Sequence, residues 1–315
     1  MLKMESSGLP LENNRSLVEL PRDVSLNILR RLDQVEILES AQFVCKPWYD
    51  ICKDPSLWRC IRFKDLEDLE IYRLNLLFKE EPKREPKRVF NHEKMVFNAI
   101  DRSAGGLIDL DIEGFLPDGI CSYVASRSTQ VKRLRFVHCC IPFKDLVEAL
   151  EKQSSLDELE LTLCSFDNDS SDMFSPRKFI SVINSCPLSL TTLKLNERGS
   201  RTPYRSSDMV ALTIAGRFPQ LHHLQFIGHD ITTVGLTAIL DGCPHLQSLD
   251  VRACFHLDLE GNLGERLTKQ VKNLLRPSDL TEDYFYPIED EDEDYGFGLC
   301  SRDTDFYEYY SDYDS

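Results

Sequence analysis

Apolar residues follow two different rhythms along this chain. The first is helical. After Leu20-Pro21 come Val24, Ile28, Leu29 and Leu32, spaced to line one helix face. Asp33-Gln34-Val35-Glu36 has the form of a capping box, with Asp33 as N-cap and Glu36 reaching back. Ile37, Leu38, Ala41, Val44 and Cys45 mark a second apolar face. Pro47 suits the first turn of a third helix that carries Trp48, Ile51 and Cys52. Asp54-Pro55 ends it, and Ser56 is placed to cap a last short turn with Leu57, Trp58 and Ile61. Three short helices are therefore expected over residues 17–62, and both tryptophans of the chain lie among them. So short a unit buries too little surface to stand alone, so it needs the rest of the chain or a partner to pack on.

The second rhythm begins at residue 107 and repeats. Its template is Leu-x-x-Leu-x-Leu-x-x-Asn/Cys. It fits Leu107-Leu110-Ile112, Val131-Leu134-Phe136, Leu156-Leu159-Leu161, Leu190-Leu193-Leu195, Leu221-Leu224-Phe226 and Leu246-Leu249-Val251. Cys139, Cys164 and Cys254 fall on the last template position, where a small side chain caps the turn after a strand. Between the strands lie helical segments: GICSYVASRS, KDLVEALEKQ, RKFISVINSC, MVALTIAGRF and VGLTAILDGC. Pro187, Pro219 and Pro244 follow three of them and prevent continuation. One such unit cannot bury its own apolar face, so neighbours stack. The expectation is a leucine-rich-repeat solenoid of about six units. Residues 92–106 should form a helix capping its N-terminal end, stopped by Gly105-Gly106, and residues 258–277 should cap the other.

The helical unit also carries a specific resemblance. LVELPRDVSLNILRRLDQVEILESAQFVCKPWYDICKDPSLWRCIRF resembles an F-box, through its LP start, IL..L helix, VCKxW block and DPSLW end. Pro47 departs from the pattern, where Arg or Ser is usual, and a first helical turn tolerates it. The resemblance implies docking on a Skp-type adaptor and, through it, on a cullin-based ubiquitin ligase. It places Leu20, Pro21, Ile28, Leu29, Leu32, Val44, Cys45 and Trp48 at or under the adaptor interface, with Trp58 anchoring the end. Residues 17–277 together are similar to plant F-box/leucine-rich-repeat proteins with about six repeats. In that family the F-box holds the ligase and the repeats hold the substrate. The expected fold is α/β, with an F-box over 15–63, a connector over 64–90, repeats over 91–277 and an acidic tail over 278–315. The expected role is a non-catalytic substrate receptor; a binding scaffold without a ligase is the alternative.

Charge refines this picture. The net charge is −16, but residues 277–315 hold 14 acidic residues against Arg302 alone, so the remainder carries only −3. No basic field exists to attract nucleic acid. No apolar run is long enough to cross a bilayer, and MLKMESSGLPLENN lacks the core of a signal peptide, so nuclear or cytoplasmic residence is expected. The 11 cysteines include no CxxC and no metal-ligand spacing, which suits buried reduced thiols. His222 and His223 are adjacent in a strand and point apart, and the seven histidines read as surface or turn residues. No GxSxG, P-loop or GxGxxG is present, and no cofactor or catalytic residue is expected. KREPKR, inside the charged stretch KEEPKREPKR, has the composition of an import signal, but its acidic neighbours favour a solvated connector.

The template also orients the strands. Its third and fifth positions face the concave side, giving Asp109 and Asp111, Arg133 and Arg135, Glu158 and Glu160, Thr192 and Lys194, His223 and Gln225, Ser248 and Asp250. A basic strand thus sits between two acidic ones, and cross-strand pairing is expected. The later strands offer mainly uncharged hydrogen-bonding groups. Two long loops, SFDNDSSDMFS and NERGSRTPYRSSD, lie beside them, the second with Arg198, Arg201 and Arg205. Loops on a rigid scaffold are favoured binding positions. The candidate target-binding set is Thr192, Lys194, Arg198, Arg201, Arg205, His223, Gln225 and Ser248. The tail, with seven of 11 tyrosines, is expected to be a solvated acidic segment, or one that contacts Arg133 and Arg135 or a basic target.

Overall fold

The computed structural model describes residues 20–64, 89–114, 116–166, 176–197 and 207–281. Most of the connector with KREPKR, the greater part of both long loops with Arg198, Arg201 and Arg205, and the acidic tail from residue 282 lie outside them.

The three expected helices are α1 (Arg22–Leu29), α2 (Gln34–Glu39) and α3 (Lys46–Ile51), with 3-10 turns at Ala41–Phe43 and Pro55–Leu57. The capping box forms. The Glu36 amide donates to Asp33 Oδ1 at 2.7 Å, and the Asp33 amide donates to Glu36 Oε2 at 3.2 Å. Pro47 sits in the first turn of α3, where it removes no helical hydrogen bond. Two details differ from expectation. Asp54, not Ser56, caps the last turn, accepting from the Ser56 amide at 3.0 Å, because the N-cap must precede Pro55. Ile61 is not in that turn; it lies in strand β1 (Cys60–Lys64), across the boundary drawn after residue 63.

β1 pairs in parallel with β2 (Asp109–Glu113), Cys60 opposite Asp109 through Lys64 opposite Glu113. The repeats add β3 (Arg133–Val137), β5 (Glu158–Thr162), β7 (Thr192–Asn196), β8 (His223–Gln225), β9 (Ser248–Asp250) and β10 (Asn273–Leu275), with a small separate pair of β4 (Cys140–Ile141) and β6 (Ser165–Phe166). Among the described residues the main sheet has eight parallel strands, ordered β1-β2-β3-β5-β7-β8-β9-β10. Six units were expected; each end supplies one strand more. The segment at residues 92–106 belongs to α4 (Val89–Arg102), which lies between β1 and β2 in the chain and so completes an added unit rather than closing the end. At the far end α10 (Asn262–Gln270) leads into β10. The intervening helices are α5 (Ile120–Arg127), α6 (Phe143–Leu150), α7 (Pro176–Ser185), α8 (Asp208–Arg217) and α9 (Thr233–Gly242).

One continuous apolar core runs from Leu29 to Val271. Ile61 and Phe63 of β1 enter it from the helical unit. Trp58 is fully buried there, its Nε1 donating to the Cys52 carbonyl at 2.9 Å. Arg102, the last residue of α4, lies 5.2 Å from the Trp58 ring and donates to the Cys52 carbonyl and to Gln42 Oε1. The open edge of β1 is covered by Gln34 of α2. Its Nε2 donates to the Cys60 carbonyl at 3.2 Å and its Oε1 accepts from the Arg62 amide at 3.0 Å. That contact takes one carbonyl and one amide of the edge that a further strand would otherwise pair with.

The turns after the strands repeat one geometry. Gly114, His138, Leu163, Gly228 and Ala253, all at the eighth template position, have left-handed φ between 51° and 91°. The next residue reaches back to the preceding strand. Cys139 donates its thiol to the Ile112 carbonyl, Cys164 to Phe136 and Cys254 to Phe226. Burial pushes the Cys164 and Cys254 thiols up to about 12, so they remain protonated donors. His229 holds the same position and makes the same contact, Nε2 to the Leu195 carbonyl at 3.0 Å, with its ring stacked on Phe226. It is therefore a buried structural residue of the turn: of the surface or turn positions expected for the histidines, it takes the turn, without the surface exposure.

Burial holds His229 down to about 3 and His138 down to about 4, both below the ordinary 6.5. The unfolded chain takes up these protons near pH 6.5 and the folded chain refuses them. Their stabilisation is complete above that pH and is lost progressively as pH falls from 6.5 towards 4 and 3. Glu197, pushed up to about 8 by burial, has the opposite slope above pH 4.5, so the useful comparison is between variants. His229→Cys, which installs the residue other repeats use, should flatten the acid limb of urea-unfolding stability between about pH 6 and 4 by ~1 kcal/mol per pH unit. An unchanged slope would contradict the neutral buried imidazole.

Candidate functional site

Two surfaces carry the candidate residues. The first is the outer face of α1–α3. The named residues divide by burial. Leu29, Trp48 and Trp58 are buried and hold the unit together. Leu20, Ile28, Leu32 and Cys45 are half-buried, and Pro21 is exposed. Val44 is 55% exposed, and beside it in sequence Phe43 is 71% exposed, with Val24 at 39%. Sequence periodicity missed Phe43 because the 3-10 turn at Ala41–Phe43 breaks the helical spacing. The only signal was a large apolar residue off the periodic face. The turn is pinned from behind, since Gln42 donates to the Leu38 carbonyl and accepts from Arg102. Phe43 and Val44 are thus presented outward.

The second surface is the concave side of the sheet, where the expected cross-strand pairs form. Arg133 bridges Asp109 at 3.2 Å and Glu158 at 3.4 Å. Arg135 reaches Asp111 at 2.7 Å, Glu113 at 3.2 Å and Glu160 at 2.9 Å. Lys194 joins Glu158 at 2.7 Å and Glu160 at 3.2 Å. Burial works against the charged form of Glu158, yet the hydrogen bond and charge of Lys194, with Arg133, hold its carboxyl below the usual range. Burial also opposes the Lys194 ammonium, but Glu160 and Glu158 hold it above its ordinary value.

Toward β10 the network becomes amide-based. Asn196 Nδ2 donates to Thr162 Oγ1 at 3.0 Å and to Gln225 Oε1 at 3.1 Å, and Gln225 Nε2 donates to Asp250 Oδ2 at 3.2 Å. Arg252 closes it on both Asp250 oxygens at 3.0 and 2.8 Å. Lys194 and Gln225, proposed from sequence as target-binding residues, are therefore committed within the sheet. Thr192, His223 and Ser248 lie in register across β7, β8 and β9, and Asn273 of β10 continues the row. Asn196, Arg252 and Asn273 escaped the sequence reading, because they stand beyond the third and fifth template positions or in a strand not foreseen. Among the described residues no group of three His, Cys, Asp or Glu could hold a metal, and no helix is long and apolar enough to cross a membrane.

The network has a deep centre and a shallow rim. Arg135→Met leaves Asp111, Glu113 and Glu160 without their shared guanidinium and should cost ~3–5 kcal/mol by urea unfolding. Arg62→Met, which removes an exposed cation 3.9 Å from Asp109, should cost less than ~1 kcal/mol. Equal costs would contradict this layering.

Comparison with known proteins agrees with this geometry. An F-box-like family model matches residues 17–64. F-box protein SKIP19 of Arabidopsis thaliana is 38% identical over 320 residues, covering 98% of this chain and 96% of the relative. Putative F-box/LRR-repeat protein 23 of the same plant is 37% identical over 94% of this chain and 60% of its own length. Putative F-box/LRR-repeat protein 22, also from that plant, is 35% identical over 96% of this chain and 94% of its own. An F-box-like segment whose last strand opens a parallel repeat sheet, together with relatives that match almost end to end, shows that the chain belongs to the plant F-box/leucine-rich-repeat family.

Proposed function

We propose that the protein is the substrate-recognition subunit of a Skp–cullin–F-box ubiquitin ligase, with no catalytic chemistry of its own. The helical unit docks the Skp-type adaptor, and the repeats hold the protein to be modified. The observation that carries this reading is the exposure of Phe43 and Val44, at 71% and 55%, on an F-box-like unit whose Leu29, Ile37, Trp48, Ile51 and Trp58 are buried. Each apolar Å² left in water forgoes ~25 cal/mol, so a partner that covers these side chains gains binding energy from them. The receptor acts by proximity, holding a target lysine near a ligase-bound ubiquitin thioester and raising its effective concentration.

Target contact is assigned to the concave face from β7 to β10. The row Thr192, His223, Ser248 and Asn273 supports it, since the side chains in this row are not drawn into the internal network that occupies Lys194 and Gln225. Arg198, Arg201 and Arg205, outside the described residues, remain part of the proposed target set.

The adaptor claim is tested at the surface and not in the core. Leu29 and Trp48 are buried, so substituting them would disturb folding as well as docking. Phe43→Asp with Val44→Asp should keep the far-ultraviolet circular dichroism and melting temperature of the full chain. The same double variant should weaken co-purification with a Skp-type adaptor by ~100-fold or more, the scale of two lost hot-spot contacts. A folded variant that binds the adaptor as wild type does would remove the ligase reading.

A further inference from the structure

The turn that presents Phe43 and Val44 has little to hold it in place. It is closed by two backbone hydrogen bonds, from the Phe43 amide to the Ser40 carbonyl at 3.0 Å and from the Val44 amide to the Ala41 carbonyl at 3.2 Å. A single 3-10 turn has poor hydrogen-bond geometry and small stability of its own. Of its three side chains only Ala41 is buried, and a methyl group gives a weak anchor. Phe43 and Val44 are exposed and add none.

The remaining hold is Gln42, and behind Gln42 stand the repeats. The Gln42 amide donates to the Leu38 carbonyl of α2 and accepts from Arg102 Nη2 at 2.9 Å. Arg102 Nη1 donates at 3.3 Å to the carbonyl of Cys52, the residue that closes α3, and Trp58 Nε1 reaches the same oxygen at 2.9 Å. One guanidinium thus ties together the 3-10 turn, the end of α3 and the Trp58 ring. A planar fork can hold two acceptors at once, which the single nitrogen of Lys cannot do in the same geometry. This fork is carried by α4, 60 positions along the chain from Gln42 and beyond the residues 17–64 that the F-box-like model matches.

We propose that Arg102 is a positioning residue for adaptor docking: acting through Gln42, it holds residues 41–44 in the conformation that the adaptor covers. A turn that visits other conformations binds only in proportion to the time it spends in the competent one. The repeats thereby set the affinity of the helical unit for the adaptor from behind its docking face. The docking role rests on the receptor reading given above; the hold on the turn does not, and it is measured in the free chain.

The test uses the full chain and two readouts. In the free protein, Arg102→Met should speed amide hydrogen exchange at Phe43 and Val44 at least about fivefold relative to the amides of β2. Titration with a Skp-type adaptor should show binding weakened about tenfold, the scale of one hydrogen bond to a charged group. Val96→Ala lowers stability from a buried position of the same helix, away from Gln42, and should bind the adaptor as wild type does. In a Gln42→Met background the further change Arg102→Met should weaken binding less than twofold, because the contact it acts through is already gone. A merely structural arginine would give additive losses instead. Should Arg102→Met not fold, Arg102→Lys keeps a cation near Trp58 without the fork and should shift both readouts the same way. Wild-type adaptor affinity in the folded Arg102 variants would overturn the proposal and leave the receptor reading standing, as would additive losses. A wild-type chain that ignores the adaptor would overturn both, even with the exchange result as expected.

Discussion

Strand β1 hydrogen-bonds to β2 over five residue pairs, and much of the molecule depends on that pairing. The three helices before it cannot close a core of their own. β1 carries Ile61 and Phe63 from that unit into the repeat core, and Trp58 seals the joint beneath Arg102. Gln34 then covers the free edge of β1, so the solenoid ends at the helical unit itself. The outer face with Phe43 and Val44 is thereby held in a set relation to the concave face. For the proposed receptor this matters, because proximity accelerates a reaction only when both ends of the bridge are positioned.

The concave face shows why charge counts mislead. The chain as a whole is strongly acidic, and the face carries nearly matched numbers of acids and bases. What a partner meets depends on side-chain length. Asp111, Glu113 and Glu160 are buried beneath Arg135, Lys64 and Lys194. The carboxylates serve the sheet, and of the cations above them Lys64 and Lys194 keep part of their side chains in water while Arg135 stays deep in the network.

Much of this was legible in the sequence. The template positions located six strands, the capping box formed as written, and the thiols of Cys139, Cys164 and Cys254 cap the turns as their positions implied. What was missed has physical causes. CIRFK is a five-residue alternation that looks like the tail of the helical unit, and only its partner β2 makes it a strand. QVKNLLRP has too little periodicity to separate a cap from β10. His229 was readable from its template position, but a polar ring there is tolerated only because Leu195 offers a carbonyl and Phe226 a stacking face. Phe43 became visible only once the 3-10 turn was known.

Native-state amide hydrogen exchange on the full chain tests the central claim most directly. If β1 is an integral strand, the amides of residues 61–63 should exchange with an opening free energy equal to that of β2 and β3, within ~1 kcal/mol, as members of one cooperative unit. Exchange of β1 and the three helices at much lower free energy, while β2 to β9 stay protected, would show a separately unfolding module tethered to the repeats and would contradict the account.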